Sequence, residues 1–174
     1  SEWCSSDVTT TMEGQLVPTT ATYDMLGRRR TLDDGHSNVW TWTYDSLGRI
    51  TQEVDPDSGT KTVLYDDVAR TEARTDALSQ VVRVAYDTLG RPETKTITIG
   101  QTTIGQTSFD YGEPRGGYSN WGRLTTVVSP AGPGWLTTLQ VDYDALGRVV
   151  RQTGSLPEAG YTGTILKEFD AAGR

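Results

Sequence analysis

Tyr23-Asp24-Met25-Leu26-Gly27-Arg28 returns 21 residues later as Tyr44-Asp45-Ser46-Leu47-Gly48-Arg49. At the same spacing come Tyr65-Asp66-Asp67-Val68-Ala69-Arg70 and Tyr86-Asp87-Thr88-Leu89-Gly90-Arg91. The motif appears again as Tyr143-Asp144-Ala145-Leu146-Gly147-Arg148, and the chain stops on Phe169-Asp170-Ala171-Ala172-Gly173-Arg174. A fixed period marks a repeat architecture in which each unit is one supersecondary element. Between Arg91 and Tyr143 the period breaks. There Phe109-Asp110 reads as the opening of a further copy that closes at Gly122-Arg123-Leu124, with an insertion in its turn.

Outward from each motif the residues alternate. Trp40, Trp42 and Tyr44 share one parity, as do Val82, Val84 and Tyr86, and Leu139, Val141 and Tyr143. Period two is the mark of a half-buried strand. After the arginine, Ile50, Gln52, Val54 and Leu124, Thr126, Val128 alternate more weakly. Each unit therefore reads as strand, motif turn, strand and second turn. Second turns are explicit at Asp33-Asp34-Gly35 and at Asp55-Pro56-Asp57-Ser58-Gly59. Within the motif the aspartate accepts turn N–H groups, and the glycine takes a positive φ without strain. Ala69 lacks that freedom. The arginine returns to the aspartate four residues earlier, and the tyrosine buries its ring while keeping a polar tip.

One hairpin cannot bury its own inner face, but stacked hairpins continue one sheet. The expected fold is all-β: consecutive antiparallel β-hairpins in a curved ribbon, its inner face carrying Tyr, Trp and Val. Tyr44, Tyr65 and Tyr86 should form a row along it. The expected organisation is a lead-in over residues 1–22, regular repeats over 23–108, an irregular repeat with an insertion over 109–142, and further repeats over 143–174. Sheet edges are normally capped. With no cap after Arg174, the chain reads as a piece of a longer protein.

Composition agrees and excludes other classes. Threonine is the commonest residue, 28 of the 174, and strand-favouring Val, Tyr and Trp accompany it. No run is long and apolar enough for a membrane-spanning helix. The net charge of −7 lacks the basic footprint that nucleic acid demands. One cysteine and one histidine, Cys4 and His36, provide neither an internal disulfide nor a zinc cluster.

Residues 23–174 resemble the YD-repeat (RHS-repeat) family, on the motifs at Tyr44–Arg49, Tyr86–Arg91 and Tyr143–Arg148. The resemblance implies hairpins that wind into a spiral shell, as in bacterial RHS polymorphic toxins, the cocoon of insecticidal toxin complexes and teneurin-type surface proteins. In the toxins such a shell encloses a C-terminal cytotoxic domain, released by aspartyl self-cleavage at an Asp-Pro-x-Gly-Leu type sequence. The nearest stretch here, Asp55-Pro56-Asp57-Ser58-Gly59, lacks the leucine and lies between repeats. It is read as a turn, and no catalytic residue is carried over.

Other chemistry reads weakly. Cys4 and His36 lack a third orienting group. Paired acids at Asp33-Asp34 and Asp66-Asp67 carry no sign of facing across a cleft. The loop from Asp55 to Gly59 is only part of a calcium loop. No cofactor and no metal are expected. Trp121 and Trp135, in Gly/Pro-rich stretches, are the candidates for glycan contact, against the plainer reading that they seal loops. The direct repeat Ile99-Gly100-Gln101-Thr102 and Ile104-Gly105-Gln106-Thr107 carries no chemistry. The expected function is a non-catalytic shell segment of a larger secreted or surface-deployed bacterial protein, whose partners are the rest of its own chain and an enclosed toxin payload. The alternative is a surface adhesion module that binds glycan or protein through its irregular loops.

Overall fold

The computed structural model describes the backbone of residues 4–12, 15–68, 70–132 and 135–169, and the side chains of 18–68, 70–130 and 136–169. The described residues form fourteen strands and one 3-10 turn, Pro157–Ala159. The class is all-β, as the alternation requires. No helix is long and apolar enough to cross a membrane.

The chain divides into two compact units, Ser1–Val81 and Val82–Arg174. The first holds β1 (Cys4–Met12), β2 (Gln15–Tyr23), β3 (Arg29–Asp33), β4 (Val39–Tyr44), β5 (Ile50–Asp55), β6 (Gly59–Tyr65) and β7 (Thr71–Thr75). Each pairs antiparallel with the next. The β1–β2 hairpin pairs Cys4 with Tyr23 and Met12 with Gln15. The sequence predicts only a lead-in over residues 1–22, because the Thr-rich residues there favour strands without alternating. Along the chain β8 (Gln80–Tyr86) follows. The second unit continues with β9 (Pro92–Ile99), β10 (Thr102–Tyr111), β11 (Leu124–Gly132), β12 (Trp135–Tyr143), β13 (Val149–Leu156) and β14 (Tyr161–Leu166). From β9 to β14 each again pairs antiparallel with the next.

Strands end at the motif tyrosine and resume just after the arginine. The register slips between Thr22 and Tyr23, Thr43 and Tyr44, Leu64 and Tyr65, Asp110 and Tyr111, and Asp142 and Tyr143. Such a bulge bends the strand and increases its twist, so these five turns are entered through the same distortion.

The inner face is more mixed than the alternation implied. In the first unit Trp40 pairs with Leu32 and Leu32 with Ala21, but Trp42 pairs with Glu53 and Glu53 with Lys61. The opposite face carries a line of Thr22, Thr31 and Thr41, with the Thr22 and Thr31 hydroxyls 2.6 Å apart. Among the described residues only Ala21, Ala73 and Val141 are buried apolar side chains. Within each unit the strands form a single layer. Among the described residues most side chains on both faces stay half-exposed or exposed.

Candidate functional site

The motif turn is the same object in every complete copy. Asp24 Oδ1 accepts the N–H groups of Leu26 and Arg28 at 2.9 and 3.0 Å, while Oδ2 accepts Arg28 Nε at 2.6 Å. Asp45 holds Leu47 and Arg49 in the same way, and so do Asp66, Asp87 and Asp144 in their own turns. The aspartate N–H donates to the arginine carbonyl at 2.8–3.0 Å in Asp24, Asp45, Asp66, Asp87 and Asp144. Gly27, Gly48, Gly90 and Gly147 all take positive φ, between 75° and 83°. Ala69, at that place in the third copy, lies outside the described residues.

These contacts fix the charge of the aspartates. At Asp24, partial burial works against the ionised form, but hydrogen bonds from Arg28 and Leu26 outweigh it and hold the carboxyl below its ordinary value. Asp45 and Asp66 balance in the same way. At Asp87 and Asp144 the N–H of the arginine is the largest influence, and those carboxyls are lowered too.

The arginine then leaves its own turn. Arg28 lies 4.8 Å from the centroid of the Tyr44 ring, Arg49 4.2 Å from Tyr65, Arg91 4.1 Å from Tyr111, Arg123 5.3 Å from Tyr143 and Arg148 4.2 Å from Phe169. The tyrosine hydroxyls complete the link. They donate to the carbonyl just after the preceding arginine: Tyr44 to Arg29, Tyr65 to Ile50, Tyr111 to Pro92 and Tyr143 to Leu124, at 2.8–2.9 Å. Burial raises the Tyr111 phenol above its ordinary value, which keeps this donor protonated. Repeat is thus joined to repeat by an arginine between two copies, where the sequence suggested a plain row of tyrosines. Asp170, Gly173 and Arg174 of the last copy lie outside the described residues.

The irregular copy differs from its reading. Tyr111, not Phe109, holds the tyrosine place: it ends β10, follows the bulge, lies under Arg91 and bonds to Pro92. The aspartate place is then Gly112, and the turn runs to Arg123. Phe109 pairs with Val127 inside the sheet.

The insertion is pinned by polar side chains that no motif announced. Arg115 Nη1 donates to Asp142 Oδ1 at 2.7 Å, and its Nη2 donates to Glu113 Oε2 and the Thr126 hydroxyl at 2.7 Å each. Thr126 also donates to Glu113. Asn120 donates to Asp142 Oδ1 at 2.7 Å and accepts the Tyr143 N–H at 3.1 Å. Arg151 Nε meets Asp142 Oδ2 at 2.6 Å. Asp142 is fully buried. Burial there opposes ionisation, but Asn120, Arg115 and Arg151 prevail and keep its carboxyl low. Every polar atom of the Asp142 carboxylate is satisfied, so the network fastens a loop rather than offering a reactive group.

Two further turns copy the motif frame without its letters. In Asp34-Gly35-His36-Ser37-Asn38, Asp34 Oδ1 accepts the N–H groups of His36 and Asn38, and Oδ2 accepts Asn38 Nδ2 at 2.7 Å. In Asp76-Ala77-Leu78-Ser79-Gln80, Asp76 Oδ1 accepts Leu78 and Gln80. Serine takes the glycine place in both, with φ of 71° at Ser37 and 61° at Ser79. An aspartate with an amide side chain four residues on was the available signal.

The remaining candidates are placed as follows. The His36 ring is exposed and lies 3.2 Å from the Asp34 carbonyl. The Cys4 and Trp135 side chains lie outside the described residues. Asp55 accepts the N–H groups of Asp57 and Ser58, the geometry of a turn. Among the described residues no group of three or more His, Cys, Asp or Glu is placed to hold a metal. Trp121 is 92% exposed. An open apolar trough of about 540 Å³ lies on β12–β14, between Leu139, Leu156 and Ile165, with the paired Gly154 and Gly163 among its lining.

Residues 23–60 match the RHS Repeat family model. No curated protein matches the chain. Among solved structures it is similar to the crystal structure of TcdB2-TccC3-Cdc42, at 11% identity and a TM-score of 0.47, over 97% of this chain and 11% of that one. It is also similar to TcdB2-TccC3-TEV (14% identity, TM-score 0.27, 79% of this chain and 11% of that one). A third is TcdB2-TccC3 without hypervariable C-terminal region (14% identity, TM-score 0.26, 91% and 13%). The chain spans only 11–13% of the length of these structures. The stretch that the family model matches, residues 23–60, spans the first two motif turns and is similar to an RHS repeat.

Proposed function

We propose that the chain is a non-catalytic wall segment of an RHS-repeat shell, part of a larger secreted or surface-deployed bacterial protein that encloses a toxin or other payload. One observation carries this reading. The most regular chemistry in the chain, the Asp–Arg–Tyr link, is spent on joining neighbouring hairpins within a unit. Wherever the motif keeps its aspartate, the arginine charge is neutralised by it, and an aromatic ring covers the flat face of Arg28, Arg49, Arg91 and Arg148, so these motif residues make sheet. A single layer assembled in this way suits a partition. Isolation of a partly unfolded payload would be its mechanism, and the rest of its own chain its first partner.

The test is the mass of the native source protein, followed by limited proteolysis of that protein before and after denaturation. A mass several times 19 kDa, with a downstream fragment cut only after denaturation, is expected. A native mass near 19 kDa would overturn enclosure. Retention on a glycan array that is lost in Trp121→Ala would favour adhesion instead.

A further inference from the structure

The motif arginines described are Arg28, Arg49, Arg70, Arg91, Arg123 and Arg148. All except Arg123 bind the aspartate of their own turn at 2.6–2.7 Å. At the aspartate place of the irregular copy stands Gly112, and among the described residues Arg123 has no carboxylate partner. The main-chain frame is kept: Gly112 N–H donates to the Arg123 carbonyl at 2.8 Å, as Asp24 N–H does to Arg28 at 2.9 Å. Glu113, next along the chain, is engaged by Arg115 and Thr126.

Arg123 is exposed but held. Its guanidinium stacks 5.3 Å from the Tyr143 centroid and lies directly against Gly147, where a Cβ would collide with it. Two residues earlier stands Trp121, 92% exposed. Its neighbours are fixed on both sides. Asn120 is buried and bonded to Asp142 and to the Glu113 carbonyl, and the Gly122 carbonyl accepts Arg91 Nη1 at 3.1 Å. Tryptophan and arginine are the side chains most often found to anchor protein interfaces. A positioned guanidinium takes a carboxylate through two parallel hydrogen bonds.

We infer that Trp121 and Arg123 form a docking site for an acidic segment of another protein. Its Asp or Glu carboxylate would bind Arg123, supplying from outside what Asp24, Asp45, Asp66, Asp87 and Asp144 supply within their own turns. An apolar side chain beside that carboxylate would cover the Trp121 indole. A protein acid is favoured over an acidic sugar because aspartate side chains satisfy all the other described motif arginines. The inference does not depend on enclosure of a payload.

The test uses an array of short peptides of the form Gly-X-Asp-Z-Gly, with X and Z run through all amino acids, beside their Asn twins. The full chain is expected to be retained on Asp spots with apolar X or Z at least about tenfold more than on the twins. Arg123→Gln should abolish the Asp-over-Asn preference, Arg123→Lys should keep part of it, and Trp121→Ala should weaken retention on every spot. Trp121 is exposed, so that variant folds irrespective of docking, and the melting temperature of each variant checks the fold. Equal retention on Asp and Asn spots, no retention on any spot, unchanged preference in Arg123→Gln, or binding only to a uronic-acid oligosaccharide run in parallel would each overturn the proposal.

Discussion

The guanidinium of Arg49 lies 4.2 Å from the centroid of the Tyr65 ring while its Nε stays 2.6 Å from Asp45 Oδ2. One side chain thus belongs to two repeats. Its Nη1 is buried without a hydrogen-bond acceptor, a cost that the aromatic face reduces. The Tyr65 hydroxyl, by donating to the Ile50 carbonyl at 2.9 Å, locks the same junction from the other side.

Separable variants follow at Tyr65. Tyr65→Phe keeps the ring and loses one hydrogen bond, so unfolding free energy should fall by about 0.5–1.5 kcal/mol. Tyr65→Leu also removes the stack on Arg49, a further loss of about 0.5–1 kcal/mol. Urea denaturation of the two variants measures the difference. Equal losses would mean that the stack contributes nothing.

Two motif glycines should respond unequally to alanine. At Gly27 (φ 75°) an added Cβ meets nothing within 4 Å, so Gly27→Ala carries backbone strain alone, about 1–2 kcal/mol. At Gly147 (φ 82°) the Cβ would also overlap the Arg123 guanidinium and push it from Tyr143. Gly147→Ala should therefore lower the melting temperature more than Gly27→Ala. A larger fall for Gly27→Ala would show that arginine packing on the next glycine is unimportant.

Much of this was legible in the sequence, and the limits have physical causes. Tyr44, Asp45, Gly48 and Arg49 announce a turn and its ion pair because each residue type suits one place there. The reach of Arg49 to Tyr65 was not legible, since a strand period says nothing of side chains that run along the sheet between hairpins. Phe109 reads as the motif tyrosine because an Asp follows it, whereas the bulge and the hydroxyl contact select Tyr111. Asp142, the buried centre of the second unit, stands on the parity opposite Leu139, Val141 and Tyr143, where an alternating strand carries polar residues. Its partners Arg115, Asn120 and Arg151 are distant in sequence.

The concealed turns give a stabilising change. Ser37 and Ser79 hold φ of 71° and 61°, a region that costs any residue with a Cβ about 1–2 kcal/mol. Glycine relieves this strain but loosens the unfolded chain by about 0.4–1 kcal/mol. Ser79→Gly, alone or with Ser37→Gly, should therefore raise the melting temperature slightly. A fall would mean that the serine side chains contribute more to these turns than the strain removes.

Acid should loosen the turns without an abrupt early step. Asp24, Asp45, Asp66, Asp87 and Asp144 all have carboxyls lowered by the fold. A depressed folded-state value means that the unfolded chain takes up protons first, so the stability these groups supply is present above the ordinary aspartate value of about 3.9. It is lost as pH falls through that value and on through the lower folded values. Melting temperature should accordingly be insensitive to these groups between about pH 5 and 7 and fall steadily below about pH 4. A decline already complete at pH 5 would show that the turn aspartates do not set it.

Asp142 makes the most demanding case. Its carboxylate is fully buried and binds Arg115, Arg151 and Asn120 at 2.6–2.7 Å. Removing one member of a buried ionic group leaves the others uncompensated, which costs about 3–5 kcal/mol. Asp142→Ala should therefore destabilise the chain more than any turn substitution above and release the insertion. Arg151 is partly exposed at 30% of its side chain, so Arg151→Ala strands less charge and should cost less. Hydrogen exchange at the Ser119 N–H, which donates to the Tyr143 carbonyl at 2.7 Å, reports on the loop itself. Its protection should collapse in Asp142→Ala and persist in Arg151→Ala. Equal protection in both variants would mean that the insertion is held by its main chain alone.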